Sequence, residues 1–187
     1  MDQPRRLFRG IIYSIAQTSD GYLWLGTEFG LLRFDGVRPF AWTPPGNGRF
    51  PGDQISRLLA ARDGTLWIGT NAGLASWKDG KLTQHTEMAG YSVGSLAEAR
   101  DRTVWAGGAT EGHGLLCALR TGTAQCRALD RGVFSVYEDG RGDVWAGGTG
   151  IWHWKFGTPS FYSALQGSAN DLNATEDGEL LITTTAG

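Results

Sequence analysis

The chain has 187 residues, of which 41% are hydrophobic, 11% are aromatic and 29 are glycine, so it can form a sizeable core and is not of the disordered class. Its 17 basic and 19 acidic residues are spread along the sequence, which argues against nucleic acid or an anionic membrane as a partner. No apolar run approaches the roughly 18 residues of a membrane span, and residues 1–6 lack the apolar segment of a secretory signal.

The chain begins with a polar, basic segment at residues 1–10, for which we expect either a disordered lead or a strand that pairs with a distant partner. Residues 11–17 are apolar on both faces, and this pattern predicts a buried strand. Asp20-Gly21 then allows a tight reversal, because glycine accepts positive φ, and residues 23–27 predict the second strand.

Two more strands complete a first unit, at residues 31–34 and 37–42, with Asp35-Gly36 as the turn between them. The unit then repeats. Three further sets of four strands are predicted at 55–61, 66–70, 74–78 and 81–86; at 93–99, 104–107, 115–119 and 123–128; and at 133–137, 144–147, 151–155 and 159–163. A last pair is predicted at 172–175 and 180–184, and no segment has a sustained helical period.

The repeated feature is Asp-Gly-x-Leu-Trp-x-Gly-Thr followed by Gly-Leu, and its period drifts around forty residues. Its tryptophans and glycines are Trp24, Trp67, Trp105 and Trp145, with Gly26, Gly69, Gly107 and Gly147, while a fifth copy has Leu181 at the tryptophan position. Because the same residues recur in every copy, we expect them to pack blade against blade rather than to bind a ligand.

Four-stranded sheets that are apolar on both faces can bury themselves by stacking around an axis, so the fold class is all-β and the architecture a β-propeller. The predicted blades are residues 11–53, 54–90, 91–132 and 133–169, with a half blade at 170–187. At about forty residues per blade, seven blades need roughly 280 residues. We therefore expect a single partial propeller with an incomplete ring, whose open ends favour self-association.

The repeat resembles that of the two-component regulator propeller family, and residues 19–27 and 63–70 match its pattern almost residue for residue. The later copies depart from it, with Arg102 in place of glycine, Gly108 in place of threonine and no tryptophan in the fifth. The resemblance implies the extracytoplasmic, periplasmic sensor region of a bacterial histidine kinase, in a longer protein with further blades and signalling domains. The kinase, phosphoacceptor and DNA-binding modules of the family have no counterpart here.

Candidate ligand contacts follow from the predicted topology, which brings the loops between second and third strands, and the links between blades, to one end of a central funnel. Aromatic and polar side chains there would suit a small polar ligand such as a carbohydrate. These candidates are Glu28, Phe29, Asn71, Tyr91, Glu111, His113 and Arg131.

His113 is predicted to lie in a lengthened loop, residues 109–114, where it and Glu111 could bind a cation or act as acid and base. Two ligands are too few for a metal site, and no catalytic triad or phosphate-binding loop is recognisable, so we expect no cofactor and no metal. The main hypothesis is a ligand-sensing segment without catalytic activity. The alternatives are a lyase-type propeller enzyme that uses His113 and a scaffold that docks another protein.

Cys117 and Cys126 are the only cysteines and flank the turn Thr121-Gly122. Counting outward from this turn places the two residues opposite each other as a non-hydrogen-bonded pair, for which Cα atoms lie about 4.5 Å apart. They could be buried small hydrophobic residues or a cross-strand disulfide, and a disulfide would indicate an oxidising compartment.

Overall fold

A computed structural model describes residues 10–46, 48–139, 141–154, 159–164, 167–175 and 177–185. The strands are β1 (Ile12–Gln17), β2 (Leu23–Thr27), β3 (Gly30–Phe34), β4 (Pro39–Trp42), β5 (Ile55–Ala60), β6 (Leu66–Thr70), β7 (Gly73–Lys78), β8 (Lys81–His85), β9 (Ser92–Glu98), β10 (Val104–Thr110), β11 (His113–Arg120), β12 (Thr123–Leu129), β13 (Val133–Glu138), β14 (Val144–Gly148), β15 (Gly150–Trp154), β16 (Pro159–Ala164), β17 (Ala169–Ala174) and β18 (Leu180–Thr184).

The strands form four antiparallel sheets of four, in chain order, and a fifth sheet of two. We call them blade 1 (β1–β4), blade 2 (β5–β8), blade 3 (β9–β12), blade 4 (β13–β16) and the half blade (β17–β18). The first strand of each blade packs against that of the next, from β1 to β17, and no closed sheet is present among the described residues. The predicted all-β propeller segment of about four and a half blades is therefore confirmed.

Three predictions about local structure need correction or remain open. The lengthened loop at 109–114 is wrong, because β10 runs to Thr110 and β11 starts at His113, with these two residues paired across a tight turn. The first strand of the half blade starts at Ala169, one residue before the predicted boundary. Residues 1–9, predicted to be a lead or a closing strand, lie outside the described part of the chain.

The hairpin between the first and second strand closes in the same way in all five units. In blade 1 the amide of Thr18 donates to the carbonyl of Tyr22, and the amide of Gly21 donates to the carbonyl of Thr18. The same pair of hydrogen bonds recurs in the other units, starting at Ala61, Ala99, Asp139 and Thr175. The fourth residue of this turn has positive φ in each copy, which explains its glycines, but blade 3 has Arg102 there with φ 68°.

The repeat glycines allow neighbouring blades to approach closely. A Cβ atom on Gly69 would lie 2.7 Å from Cγ1 of Val93, and one on Gly107 would lie 2.5 Å from Cγ1 of Val133. The equivalent distances are 2.9 Å from Gly26 to Ile55 and 2.8 Å from Gly147 to Ala169. Each contacted residue is fully buried on the first strand of the following blade. A side chain at these positions would push the blades apart.

The hydrophobic core is divided into four clusters, one at each boundary between units. In each cluster the repeat tryptophan of one blade packs with two apolar residues from the first strand of the next blade. These sets are Trp24 with Ile55 and Leu58, Trp67 with Val93 and Leu96, Trp105 with Val133 and Val136, and Trp145 with Ala169 and Leu172. The tryptophan and the glycine of each repeat thus form one surface against which the first strand of the following unit packs.

Helical structure in the described ranges is limited to a single 3₁₀ turn, Thr86–Met88, which links blade 2 to blade 3. Its Met88 is fully buried and packs in the cluster between these blades. No helix in this part of the chain is long and apolar enough to cross a membrane.

Candidate functional site

Antiparallel blades have two ends, which differ in their turns. We call the end with the turns between first and second strands the upper end. The lower end carries the turns between second and third strands and the links between blades. All of the ligand contacts predicted from sequence lie at the lower end, so the topological argument brings them to one end of the molecule.

At the lower end, several of these residues support local structure. Glu28 accepts a hydrogen bond from the amide of Ile11 at 3.1 Å, and Tyr91 packs against the cluster between blades 2 and 3. The side chain of Asn71 packs beside Gly52, and the backbone N–H of Asn71 donates to the backbone carbonyl of Gln54. Phe29 is 77% exposed. These contacts belong to different blades and do not form a single cluster in the described structure.

The remaining three predicted residues lie on blade 3 and its link to blade 4. His113 and Glu111 are exposed, and Nδ1 of His113 lies 3.2 Å from the backbone carbonyl oxygen of Glu111 rather than from its carboxylate. Arg131 is exposed and donates from Nη1 to Oγ1 of Thr149 at 3.4 Å. Within the described ranges, no group of three or more His, Cys, Asp or Glu side chains could hold a metal ion.

The upper end contains a cleft that the sequence argument missed. It lies between blades 3 and 4, has a volume of about 450 Å³, and is lined by aromatic, amide, hydroxyl and charged side chains. We call it the 3/4 cleft. The lining residues used below are Trp105, Ala118, Arg120, Gln125, Glu138 and Trp154. Its volume is within the range typical of sites for small molecules.

The 3/4 cleft is open because Trp105 is not covered by its own blade. Elsewhere a ring of the same blade packs on the repeat tryptophan: Trp42 on Trp24 at 5.2 Å, His85 on Trp67 at 4.7 Å and His153 on Trp145 at 4.0 Å between centroids. In blade 3 the cross-strand neighbour of Trp105 is Ala118, followed on the next strand by Gln125. The aromatic partner described for Trp105 is Trp154 of blade 4, at 6.2 Å.

The indole N–H of Trp105, like that of Trp67, differs from those of blades 1 and 4. Nε1 of Trp24 donates to Oγ1 of Thr18 at 2.9 Å, and Nε1 of Trp145 donates to Oδ2 of Asp139 at 3.4 Å. The position of these acceptors is Ala99 in blade 3. Among the described residues, no hydrogen bond pairs Nε1 of Trp105, which leaves a donor for a ligand at the wall of the cleft.

A polar network holds the opposite edge of the cleft. The Nε of Arg120 donates to Oγ1 of Thr103 at 2.7 Å, and its Nη2 forms an ion pair with Asp101. Hydrogen bonds from the hydroxyl and the amide of Thr103 lower the pKa of Asp101, so this carboxylate stays ionised at neutral pH. Glu138 of blade 4 accepts a hydrogen bond from the amide of Arg100 at 2.7 Å, which fixes the turn of blade 3 against blade 4.

A second cleft of about 430 Å³ lies between blade 4 and the half blade. There Trp145 is stacked on His153 with an interplanar angle of 16°, and Nε2 of His153 lies 3.1 Å from Oδ2 of Asp143. The imidazole therefore occupies the place that Ala118 leaves open in blade 3. The 3/4 cleft is the one with an uncovered indole between two complete blades.

Cys117 and Cys126 are directly opposite each other on β11 and β12, as the count from the turn predicts, with Cα atoms 4.1 Å apart. The structure links their sulfur atoms as a disulfide. Cys117 is fully buried in the cluster between blades 2 and 3, whereas Cys126 is exposed on the outermost strand of blade 3.

Comparison with family models confirms the resemblance that the repeats indicate. Residues 7–29 and 49–72 match the model described as two component regulator propeller. These segments contain or adjoin the two most regular copies of the motif. No curated protein matches the chain.

Solved structures give a wider match to the fold. The extracellular domain of the putative one component system BT4673 from B. thetaiotaomicron is 22% identical with a TM-score of 0.76, over 98% of this chain and 27% of that one. That of the putative hybrid two component system BT3049 from B. thetaiotaomicron is 17% identical with a TM-score of 0.54, over 95% and 33%. A gluconolactonase, XC5397 from Xanthomonas campestris, is 18% identical with a TM-score of 0.57, over 91% and 68%.

At these identities the likeness extends to the fold alone, and the chain spans about a quarter of the length of the BT4673 domain. The fold is thus similar to that of extracellular domains of one- and two-component systems. The chain has the fold of a β-propeller segment, and its residues 7–29 and 49–72 are similar to two component regulator propeller repeats.

Proposed function

We propose that the chain is a ligand-sensing segment of an extracytoplasmic signalling protein, and that it binds a small polar ligand in the 3/4 cleft without chemical turnover. The observation that carries the proposal is the uncovered Trp105 between two complete blades, beside Gln125 and Arg120. The extracellular neighbours in signalling proteins make such a role the natural one for this fold, and the disulfide suits an oxidising compartment.

The lining of the 3/4 cleft favours a carbohydrate. Aromatic faces from Trp105 and Trp154 offer an apolar surface on which a sugar ring can lie, and the indole N–H, the Gln125 amide and the Thr123 hydroxyl can pair with its hydroxyl groups. The charged groups include the Arg120–Asp101 ion pair and Glu138, which do not form a concentrated positive site for an anion. A neutral oligosaccharide is therefore the ligand class that this chemistry fits.

Ligand binding should be tested at the 3/4 cleft before it is tested at the lower-end residues. Glu28, Asn71 and Tyr91 support turns and links, and the exposed His113 and Glu111 do not form a catalytic pair in the described geometry. An enzymatic role through His113 is the competing function. It predicts that a substrate is consumed and that His113→Ala abolishes the reaction.

The test is a thermal-shift screen with cellotriose, xylotriose, maltotriose and chitotriose, followed by calorimetric titration of any compound that binds. We expect Trp105→Phe, which keeps an aromatic ring but removes the indole N–H, to weaken binding at least tenfold. The matched control is Trp67→Phe, because Trp67 occupies the same repeat position under His85. Equal loss in both variants would reject the 3/4 cleft, and release of a new product would reject the non-catalytic role.

A further inference from the structure

One position on the fourth strand distinguishes blade 3 from blades 1 and 2. It is the residue in register with the repeat glycine and with a buried leucine of the third strand, and it is Trp42 in blade 1, His85 in blade 2 and Arg127 in blade 3. In blade 1 the ring of Trp42 packs on Trp24, with centroids 5.2 Å apart. In blade 2 the ring of His85 packs on Trp67 at 4.7 Å. Blade 3 thus has a guanidinium group where the other two blades have a covering ring.

The side chain of Arg127 is on the side of blade 3 that faces blade 4. Residues two apart on a strand point to the same face, and Arg127 is two residues after Gln125, which lines the 3/4 cleft. Arg127 also lines a small space of about 80 Å³, which shares lining residues with the cleft, namely Trp105, Ala118, Gln125 and Trp154. The guanidinium group can therefore reach a molecule that lies against Trp105.

Arg127 is exposed, and within the described ranges neither a hydrogen bond nor an ion pair holds its side chain. The lining side chains include two acidic residues, Asp101 and Glu138. They also include two basic residues, Arg120 and Arg127, so the lining suits a neutral ligand. The planar guanidinium of Arg127 can donate two parallel N–H groups to one partner, and two neighbouring hydroxyl groups of a sugar ring offer a matching pair of acceptors.

We propose that Arg127 determines the specificity of the 3/4 cleft. A sugar ring of the ligand lies on Trp105 in the place of the missing covering ring, and Arg127 donates to two neighbouring hydroxyl groups of that sugar. This inference rests on the proposed function, because it requires that the cleft binds an oligosaccharide. It adds the orientation of the bound ring, which Trp105 alone does not set, since stacking on an aromatic face does not select among hydroxyl groups.

The test uses the oligosaccharide that gives the largest thermal shift and its monodeoxy analogues, each of which lacks one hydroxyl group. Calorimetric titration is carried out on the unmodified protein, Arg127→Ala, Arg127→Lys and the control Arg38→Ala. Arg38 is an exposed arginine of blade 1 that lies over Phe40, 4.8 Å from the ring centroid, and its removal changes the net charge by the same amount. Because Arg127 is exposed on the outermost strand of its blade, we expect all four proteins to fold, which circular dichroism checks.

We expect Arg127→Ala to weaken binding of the parent oligosaccharide at least fivefold. Arg127→Lys keeps the charge but lacks the planar pair of donors, and should weaken binding at least threefold. Arg38→Ala should bind as tightly as the unmodified protein. At least one monodeoxy analogue should bind the unmodified protein at least threefold more weakly than the parent does, but should bind Arg127→Ala as tightly as the parent binds that variant. A purely structural role of Arg127 would not produce this coupling.

Normal affinity of Arg127→Ala, or equal losses for every analogue in both proteins, would overturn this proposal. The proposed function would stand in that case if Trp105→Phe still weakens binding. Absence of binding of every oligosaccharide to the unmodified protein would overturn both. A preference for trigalacturonate, an acidic trisaccharide, over the neutral trisaccharides that Arg127→Ala removes would show that Arg127 pairs with a carboxylate, and would also overturn the proposal.

Discussion

The boundary between blades 3 and 4 and the boundary between blade 4 and the half blade share their inner parts but differ in their outer parts. In both, a repeat glycine admits a fully buried residue of the next strand, Val133 in one and Ala169 in the other. Further out, His153 covers Trp145, whereas Ala118 leaves Trp105 uncovered. The third-strand residue paired with the tryptophan thus differs between the two boundaries, and it covers one indole and leaves the other uncovered.

Side chains can vary more in the outer part of a blade than in its inner part. In the inner part, a Cβ atom added to the repeat glycine would lie less than 3 Å from the side chain of the next blade. A residue with a side chain therefore does not fit there without moving its neighbour. In the outer part the repeat tryptophan is covered by a fourth-strand ring in blades 1 and 2, Trp42 and His85, and by the third-strand His153 in blade 4, while the strand order stays the same. Recognition can therefore develop in the outer part while the inner part keeps the blades together.

The largest expected effect comes from disturbing the shared inner part. Gly107→Ala places a methyl group 2.5 Å from Cγ1 of Val133, so we expect a loss of about 1–3 kcal/mol in the free energy of unfolding, measured in urea. Adding Val133→Ala removes the contacted methyl groups, so the loss in the double variant should be smaller than the sum of the two single losses. Additive losses would show that the glycine is not needed for close approach.

Removing the cover from Trp145 should have the next largest effect. His153→Ala deletes the stacked ring and the contact with Asp143, and we expect the free energy of unfolding to fall by about 1–2 kcal/mol. His153→Phe keeps the stacking and should recover part of this loss. If the two variants are equally destabilised, stacking on the indole of Trp145 does not contribute to the stability of this boundary.

The turns above the two boundaries differ at the residue with positive φ, which is Arg102 in blade 3 and Gly142 in blade 4, with φ values of 68° and 85°. Because this conformation is unfavourable for residues with a Cβ, Arg102→Gly should raise the free energy of unfolding by about 0.5 kcal/mol. Gly142→Ala should lower it by about 1 kcal/mol. The two changes are compared by urea unfolding, and a loss of stability in Arg102→Gly would contradict this reading of the turn.

The smallest expected effect is a pH dependence at the blade 2 boundary, where His85 covers Trp67. Burial lowers the pKa of His85 below its usual 6.5, although the charge of Glu87 opposes this shift. As the pH falls, His85 therefore binds a proton in the unfolded chain before it does so in the folded protein. Its contribution to the free energy of unfolding is fully present above pH 6.5 and is lost as the pH falls through the lowered pKa. We expect the free energy of unfolding, measured in urea, to fall less between pH 7.5 and 5.5 in His85→Phe than in the unmodified protein. An unchanged fall would show that groups other than His85 cause the pH dependence.

The fold could be predicted because each blade repeats the same local signals. Asp20-Gly21 and Trp24-x-Gly26 specify a turn and an interface together, and they recur with small changes. Strand ends were less predictable where pairing extends beyond the motif, as at Thr110 and His113, whose cross-strand contact shortens the expected loop.

The candidate site could not be predicted in the same way. Polar residues in variable loops are the features that the sequence makes visible, whereas the 3/4 cleft lies between regular strands, beside the small residue Ala118. The position paired with the tryptophan is not a sufficient signal, because blade 2 has the small residue Ser76 there and its Trp67 is covered by His85 from the fourth strand. The volume also depends on how Trp154 of the next blade packs, which no single repeat specifies.

The most direct test of the account is to cover Trp105 with the residue that covers Trp145. Ala118→His places an imidazole opposite Trp105, as His153 lies opposite Trp145, while Ala118→Ser keeps a small side chain there as the control. Calorimetric titration with the oligosaccharide that gives the largest thermal shift should show at least a tenfold loss of affinity for Ala118→His and near-normal affinity for Ala118→Ser. Wild-type affinity in a folded Ala118→His protein would contradict the claim that this cleft is the ligand site.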